Sequence, residues 1–221
     1  MAPFQFFASP RPSLTSITLP KTDWDLVKSE TGMKQWMPPT NDMALSVHFF
    51  ATKPDLPTLK NTTALRQYYR QQLAPAQGGL IEVEMFDWQG FPAVRTLFKF
   101  PQKPKGMSYL GAFTLPFAKY SFVLKIQAAE MGLTGKREAM IMPKMLSKGM
   151  IQMEDDSIVG WTADPYDHSI QSGNLMNLAE AAGYDAQFPD HPLSKARNWM
   201  SYLAREVKID PALKKLKPFT K

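Results

Sequence analysis

The chain of 221 residues contains no cysteine, and that one absence removes disulfides, zinc-thiolate sites, cysteine-ligated iron-sulfur clusters and a cysteine nucleophile. It leaves the redox compartment open. Histidine is scarce, with only His48, His168 and His191. No run approaches the ~20 consecutive apolar residues of a membrane-spanning helix, and Met1 to Pro20 is interrupted by Pro3, Pro10, Pro12 and Pro20. The chain therefore reads as soluble and cytoplasmic, with no membrane partner. Neither a GxSxG nucleophile turn nor a dinucleotide-binding glycine fingerprint occurs. No catalytic residue, cofactor or resident metal is assigned.

What is present is ordinary globular material. Apolar residues make up 44% and charged residues 21%, and a chain of this length buries roughly 70% of the surface its unfolded form exposes. The net charge of +6 raises the question of nucleic acid. The basic residues are spread out and gather mainly at Lys214, Lys215, Lys217 and Lys221, which reads as a solvated tail and makes nucleic acid an unfavoured partner.

Periodicity supplies the architecture. Thr15 to Leu19 reads as a short strand, Asp23 to Val27 as a helical turn, and Met43 to Phe50 as a strand. Pro54 and Pro57 then stop any ladder. From Thr58 to Leu73 the residues Leu59, Thr62, Leu65, Tyr69 and Leu73 recur at helical spacing. Four alternating segments follow, at Leu80 to Asp87, Phe91 to Phe100, Ser108 to Phe117 and Tyr120 to Ala128. Their short connectors favour an antiparallel meander, with Ile81, Val83 and Met85 facing inward. In the last of them Phe122, Leu124 and Ile126 share a face.

Beyond Ala139 come the methionines Met140, Met142, Met145, Met150 and Met153, suited to packing a core or to an adaptable surface. Asn174 to Ala182 reads as a short helix ending at Gly183. The clearest helix starts at Pro192, capped by Asp190 or His191, with Leu193, Ala196, Met200, Leu203 and Val207 in one stripe. The fold class expected is α+β, a sheet domain over residues 1–139 and a C-terminal helical extension over 140–221 docked on the same core.

The helix Thr58 to Leu73, the Gly78-Gly79 turn into Leu80 to Asp87, the turn Trp88-Gln89-Gly90 before Phe91-Pro92-Ala93 and the two strands after it are similar to the PsbP-like fold, over about residues 43 to 130. That resemblance implies an antiparallel sheet sandwiched by helices. It also implies a binding protein, since members of the fold mostly bind partners, among them a small GTPase, a photosystem and secretion-system effectors, and mostly lack catalytic sites. The region after Ala139 departs from the family pattern.

Two segments carry the remaining chemistry. Asp164-Pro165-Tyr166-Asp167-His168 and Asp190-His191-Pro192 each place an aspartate before a histidine, a pairing that can orient an imidazole or supply ligands. Neither spacing matches a zinc motif, and both aspartates also suit turns and caps. His48, in an apolar strand, reads as a satisfied core residue. Gly132-Leu-Thr-Gly-Lys-Arg137 lacks the spacing of a phosphate loop. Its glycines turn the chain, while Lys136 and Arg137 offer charge to an anion. The candidate partner-binding residues are thus Tyr166, Asp167, His168, Asp190, His191, Lys136 and Arg137. The leading expectation is a non-enzymatic protein-binding module such as a chaperone, adaptor or immunity-type factor; the alternative is a hydrolase or metal-dependent enzyme using His168, His191 and their aspartates.

Overall fold

Seven antiparallel strands form one sheet in the computed structural model, which describes residues 12–155 and 157–220. The first eleven residues of the proline-broken opening lie outside the described residues. In chain order the strands are β1 (Asp25–Glu30), β2 (Met33–Met37), β3 (Met43–Phe50), β4 (Gly79–Trp88), β5 (Phe91–Pro101), β6 (Met107–Pro116) and β7 (Ser121–Ala129). Their spatial order is β1-β2-β3-β7-β6-β5-β4. The expected meander is therefore β4 to β7, and β3 closes beside β7 through the pairs Val47 with Leu124 and Leu45 with Ile126. The hairpin between β4 and β5 turns on Gln89 and Gly90, whose φ angles are 57° and 82°. Asp87 Oδ1 accepts from Gly90 N at 2.8 Å, a turn chemistry that matches the strand twist.

Helix α1 (Thr62–Leu73) covers one face of the sheet and helix α3 (Pro192–Glu206) the other. Asn61 caps α1 by accepting from Ala64 N at 3.0 Å, which is why the helix begins there rather than at Thr58. Beneath it Leu65 and Leu73 meet Leu80, Val83, Val94 and Phe98. Leu193, Ala196, Met200 and Leu203 of α3 are fully buried on Leu45, Leu97, Phe113, Leu124 and Ile126. At ~1.5 to 3 kcal/mol for each large apolar side chain removed from water, this stripe alone anchors the helix. Trp88 Nε1 donates to Ala204 O at 3.0 Å and Gln89 Nε2 to Val207 O at 2.6 Å, tying the helix end to the β4–β5 turn.

A bulge between Leu80 and Glu82 changes the expected pattern in β4. Because one extra residue stands opposite β5, Ile81 packs in the α3-side core while Val83 and Met85 pack under α1. The three residues are inward, but on opposite faces.

Three other elements differ from expectation. Asp25 to Val27 belongs to strand β1 rather than a helical turn, since β1 pairs with β2 from Asp25–Met37 to Glu30–Met33. The methionine-rich region is largely helix α2 (Lys136–Ser147), which buries Ile141 and Met145 against Trp161, Ala179 and Phe188. Its methionines divide, because Met140, Met150 and Met153 remain exposed. In place of a helix at Asn174 to Ala182, Met176–Asn177 pairs with Thr162–Ala163 and two short 3-10 turns follow, at Leu178–Glu180 and Ala182–Tyr184. Asn177 accepts from Glu180 N at 3.0 Å, a capping box that closes after one turn.

The two ends of the described chain converge on this body. Ile17–Thr18 pairs with Lys208–Ile209, and Phe219 reaches across to the core under α1. Among the described residues no helix is long and apolar enough to cross a membrane.

Candidate functional site

The residues singled out from the sequence fall into two places. Lys136, Arg137, Asp190 and His191 line one cavity of about 350 Å³. Tyr166, Asp167 and His168 lie on the segment that follows Asp164, against α1 and the β4 edge. No hydrogen bond or ion pair joins the two groups among the described residues, and His168 does not line the cavity that His191 lines.

The Asp164 segment is a clamp. Asp164 is 4% exposed and accepts from Arg70 Nε at 2.7 Å and Nη2 at 2.6 Å, a bidentate pair that anchors the loop to α1. Burial pushes its carboxyl up, yet the bonds from Arg70 and from the amides of Tyr166 and Asp167 outweigh this and hold it below the ordinary carboxylate value. Tyr166 lies under Arg66, with the guanidinium carbon 3.4 Å from the ring centroid. Its hydroxyl accepts from Val83 N at 3.0 Å, while Arg66 Nε donates to Val83 O at 3.2 Å. The outward backbone groups at the middle of edge strand β4 are thus satisfied by side chains. Burial, with Glu84 close by, pushes the Tyr166 phenol up to about 12. Asp167 and His168 are exposed.

Arg137 is fully buried behind the cavity wall, and its donors are engaged inside the fold rather than held for a partner or an anion. Its guanidinium donates to Ala179 O, Ala181 O, Ser194 Oγ and Asp185 Oδ1 at 2.5 to 3.0 Å. Nearby, Lys99 Nζ donates to Glu180 Oε2 and Leu175 O, each at 2.7 Å, and Tyr109 Oη donates to Glu180 Oε1 at 3.2 Å. These networks lock the stretch from Leu175 to Asp185 onto the sheet and α2, because a buried charge must be paired to remain buried. His48 is half-buried on the sheet face opposite Leu45, with Nε2 3.0 Å from Ser46 Oγ, so it is satisfied without joining the core. Burial, then the charge of Lys125, pushes its pKa down.

His191 is the N-cap of α3: its Nδ1 accepts from Leu193 N at 3.2 Å. Asp190 is exposed beside it, which leaves the cap to the histidine. Glu130, just after β7, lies with its Oε1 3.7 Å from His191 Nε2. Gly135 N and Met107 N hold its two oxygens at 2.9 and 2.8 Å. Burial raises the Glu130 carboxyl, but His191 and these two amides prevail and lower it. Glu138, in the first turn of α2, completes the group.

No protein-family model and no curated protein matches the chain. Solved structures to which it is similar include a mutant of the protein Mog1, with 11% identity and a TM-score of 0.42 over 90% of this chain and 93% of that one. Another is cyanobacterial PsbP (CyanoP) from Synechocystis, with 12% identity and a TM-score of 0.39 over 67% and 95%. A third, from Bacteroides thetaiotaomicron, has 9% identity and a TM-score of 0.36 over 55% of this chain, which spans only 41% of that protein.

The resemblance is a weak one, of PsbP-like fold.

A surface that the sequence reading passed over lies at the other sheet edge. Strand β1 is exposed along its whole length, and no described strand pairs with its outer side. Leu26 is 52% and Val27 51% exposed. Immediately before it Trp24 packs on Trp199 of α3 at 4.5 Å between ring centroids, and Trp199 meets Tyr202 edge-on at 5.4 Å. Trp199 and Tyr202 form the wall of an open hollow of about 570 Å³ with Lys21, Thr22, Asp23 and Asn198. The signal in the sequence was Trp24-Asp-Leu-Val27 together with Trp199 beside the α3 stripe. The first was read there as part of a helical turn.

Proposed function

We propose that the chain is a non-enzymatic protein-binding module that takes an extended segment of its partner along β1 and seats an anchor side chain in the hollow walled by Trp199 and Tyr202. The observation that carries this reading is the contrast between the two sheet edges. At β4 the outward groups of Val83 are bonded to Tyr166 and Arg66, whereas no described strand pairs with the outer side of β1, where Leu26 and Val27 are half-exposed. An unpaired edge is a template for strand addition, in which main-chain bonds supply affinity and flanking pockets supply specificity. Tryptophan and tyrosine are the residues that most often dominate such interfaces.

The dispersal of the two His-Asp pairs supports a binder over the hydrolytic alternative, which needs its acid, base and orienting groups within reach of one substrate. Photo-cross-linking in the native cell tests the proposal, with a benzophenone side chain placed at Leu26 or Trp199 and, as control, at exposed Thr162. One adduct common to the first two positions and absent from the control, with the Trp199 adduct lost on Leu26→Asp/Val27→Asp at an unchanged melt, is the expected result. Equal labelling at all three positions, or none at β1, overturns it.

A further inference from the structure

We propose that Glu130, Glu138 and His191 form a binding site for a zinc-class divalent cation. Their ligand atoms all lie within 4.8 Å of one another, although they come from three separate elements: the end of β7, the first turn of α2 and the cap of α3. The independent observation is an unmet need inside the cluster. The His191 side chain is 7% exposed, and its Nε2 has no hydrogen-bond partner among the described residues. The buried Glu138 Oε2 also has none. Buried polar atoms without partners are rare because each forfeits its hydration, so a pair of them facing a third ligand calls for an occupant.

The donor set suits zinc. One imidazole and two carboxylates make three protein ligands of mixed nitrogen and oxygen type, the number at which a tetrahedral ion keeps one position for water or a small ligand. Neighbouring ligand atoms of such an ion stand about 3.3 Å apart for bonds near 2.0 Å. The 3.7 Å between Glu130 Oε1 and His191 Nε2 is close to that span. Outer groups hold the ligands in place: Gly135 N and Met107 N grip Glu130, and the Tyr109 ring packs edge-on against His191 at 5.6 Å. The cavity of about 350 Å³ lined by Glu130 and His191 gives the fourth position a path to solvent.

One feature of the cluster works against the ion and sharpens the test. Because Nδ1 accepts from Leu193 N, the neutral ring carries its proton on Nε2. Cation binding at Nε2 moves that proton to Nδ1 and breaks a cap bond that is long, at 3.2 Å. The proton and the metal therefore compete for the same nitrogen.

The full chain, stripped with a chelator, is titrated with Zn²⁺ alone by calorimetry, with excess Mg²⁺ as competitor. One zinc per chain is expected, undisturbed by Mg²⁺, with a rise in melting temperature. Glu138→Gln, and His191→Asn, which keeps a capping oxygen, should each weaken binding at least about tenfold. Imidazole nitrogen NMR should show the His191 ring proton passing from Nε2 to Nδ1 as zinc is added. Absence of binding to the wild type, undiminished binding in both variants, or an unmoved ring proton overturns the site.

Discussion

A β-carbon on Gly111 would collide with the sulfur of Met200. Gly111 sits in the middle of β6 where α3 crosses, and the same β-carbon would also crowd Ile126. Close approach of helix and sheet at this point thus depends on a strand residue without a side chain. Gly111→Ala should destabilise the protein by about 1 to 3 kcal/mol through overpacking. Met200→Ala, which opens a void, should cost about 2 to 5 kcal/mol. The double variant should cost clearly less than the sum, a coupling that denaturant melts of all four proteins will measure.

Lys99 and Glu180, respectively 3% and 1% exposed at their side chains, form a pair with no solvent to fall back on. Lys99→Met leaves the Glu180 carboxylate facing the core with only Asn177 N and Tyr109 Oη as donors, and should cost about 3 to 5 kcal/mol. Adding Glu180→Gln removes the stranded charge and should recover a large part of that loss. If the double variant is as unstable as the single one in urea melts, the pair is not what holds the Leu175–Asp185 stretch.

The clamp at Asp164 carries a pH signature. Its carboxyl is held below its ordinary value in the fold, so its contribution is present above the unfolded value of about 4 and disappears as pH falls through the folded value. Asp164→Asn should therefore be less stable than the wild type near neutrality, by about 1.5 to 3 kcal/mol. The gap should close on acidification below about pH 4. Chemical denaturation of both proteins across pH 2 to 7 gives the comparison, and a gap independent of pH would contradict the assignment.

Tyr166→Phe removes the acceptor for Val83 N together with the hydroxyl's contact to Glu84, and leaves the ring under Arg66. A loss of about 1 to 3 kcal/mol is expected for the unsatisfied amide. Hydrogen exchange at Val83 should accelerate while that of Leu97, in the interior of the sheet, keeps pace with global stability.

Much of the frame was legible because alternation and helical spacing are local signals. The β4 to β7 meander, α1 and α3 could be read from single faces such as Phe122-Leu124-Ile126 and Leu193-Ala196-Met200-Leu203. What escaped has physical reasons. The bulge at Ile81 shifts a face by one residue, which alternation over a short window does not reveal. Helix α2 carries Pro143 in its middle, a residue that argues against a helix in any local reading. Strand β1 has both faces exposed, so it has no apolar alternation to display.

The candidate residues were harder, because their partners are distant in sequence. Arg137 looked like an anion ligand beside Lys136 until Ala179, Ala181, Asp185 and Ser194 closed around it. Tyr166 looked like an exposed contact until Val83, 83 residues earlier, proved to be its partner. His191 was correctly read as a possible cap, but Glu130 and Glu138 carried no motif to connect them to it.

The sealing of β4 sets a limit on growth. A sheet with two open edges can add copies at both and lengthen without end, as a filament does. Here Tyr166 and Arg66 occupy the outward groups of Val83 at the middle of one terminus of the sheet, while among the described residues no strand pairs with the outer side of β1. If strand addition is confined to β1 as proposed, edge-to-edge pairing of this chain with itself ends at two copies, and a partner strand laid there closes the sheet to further addition.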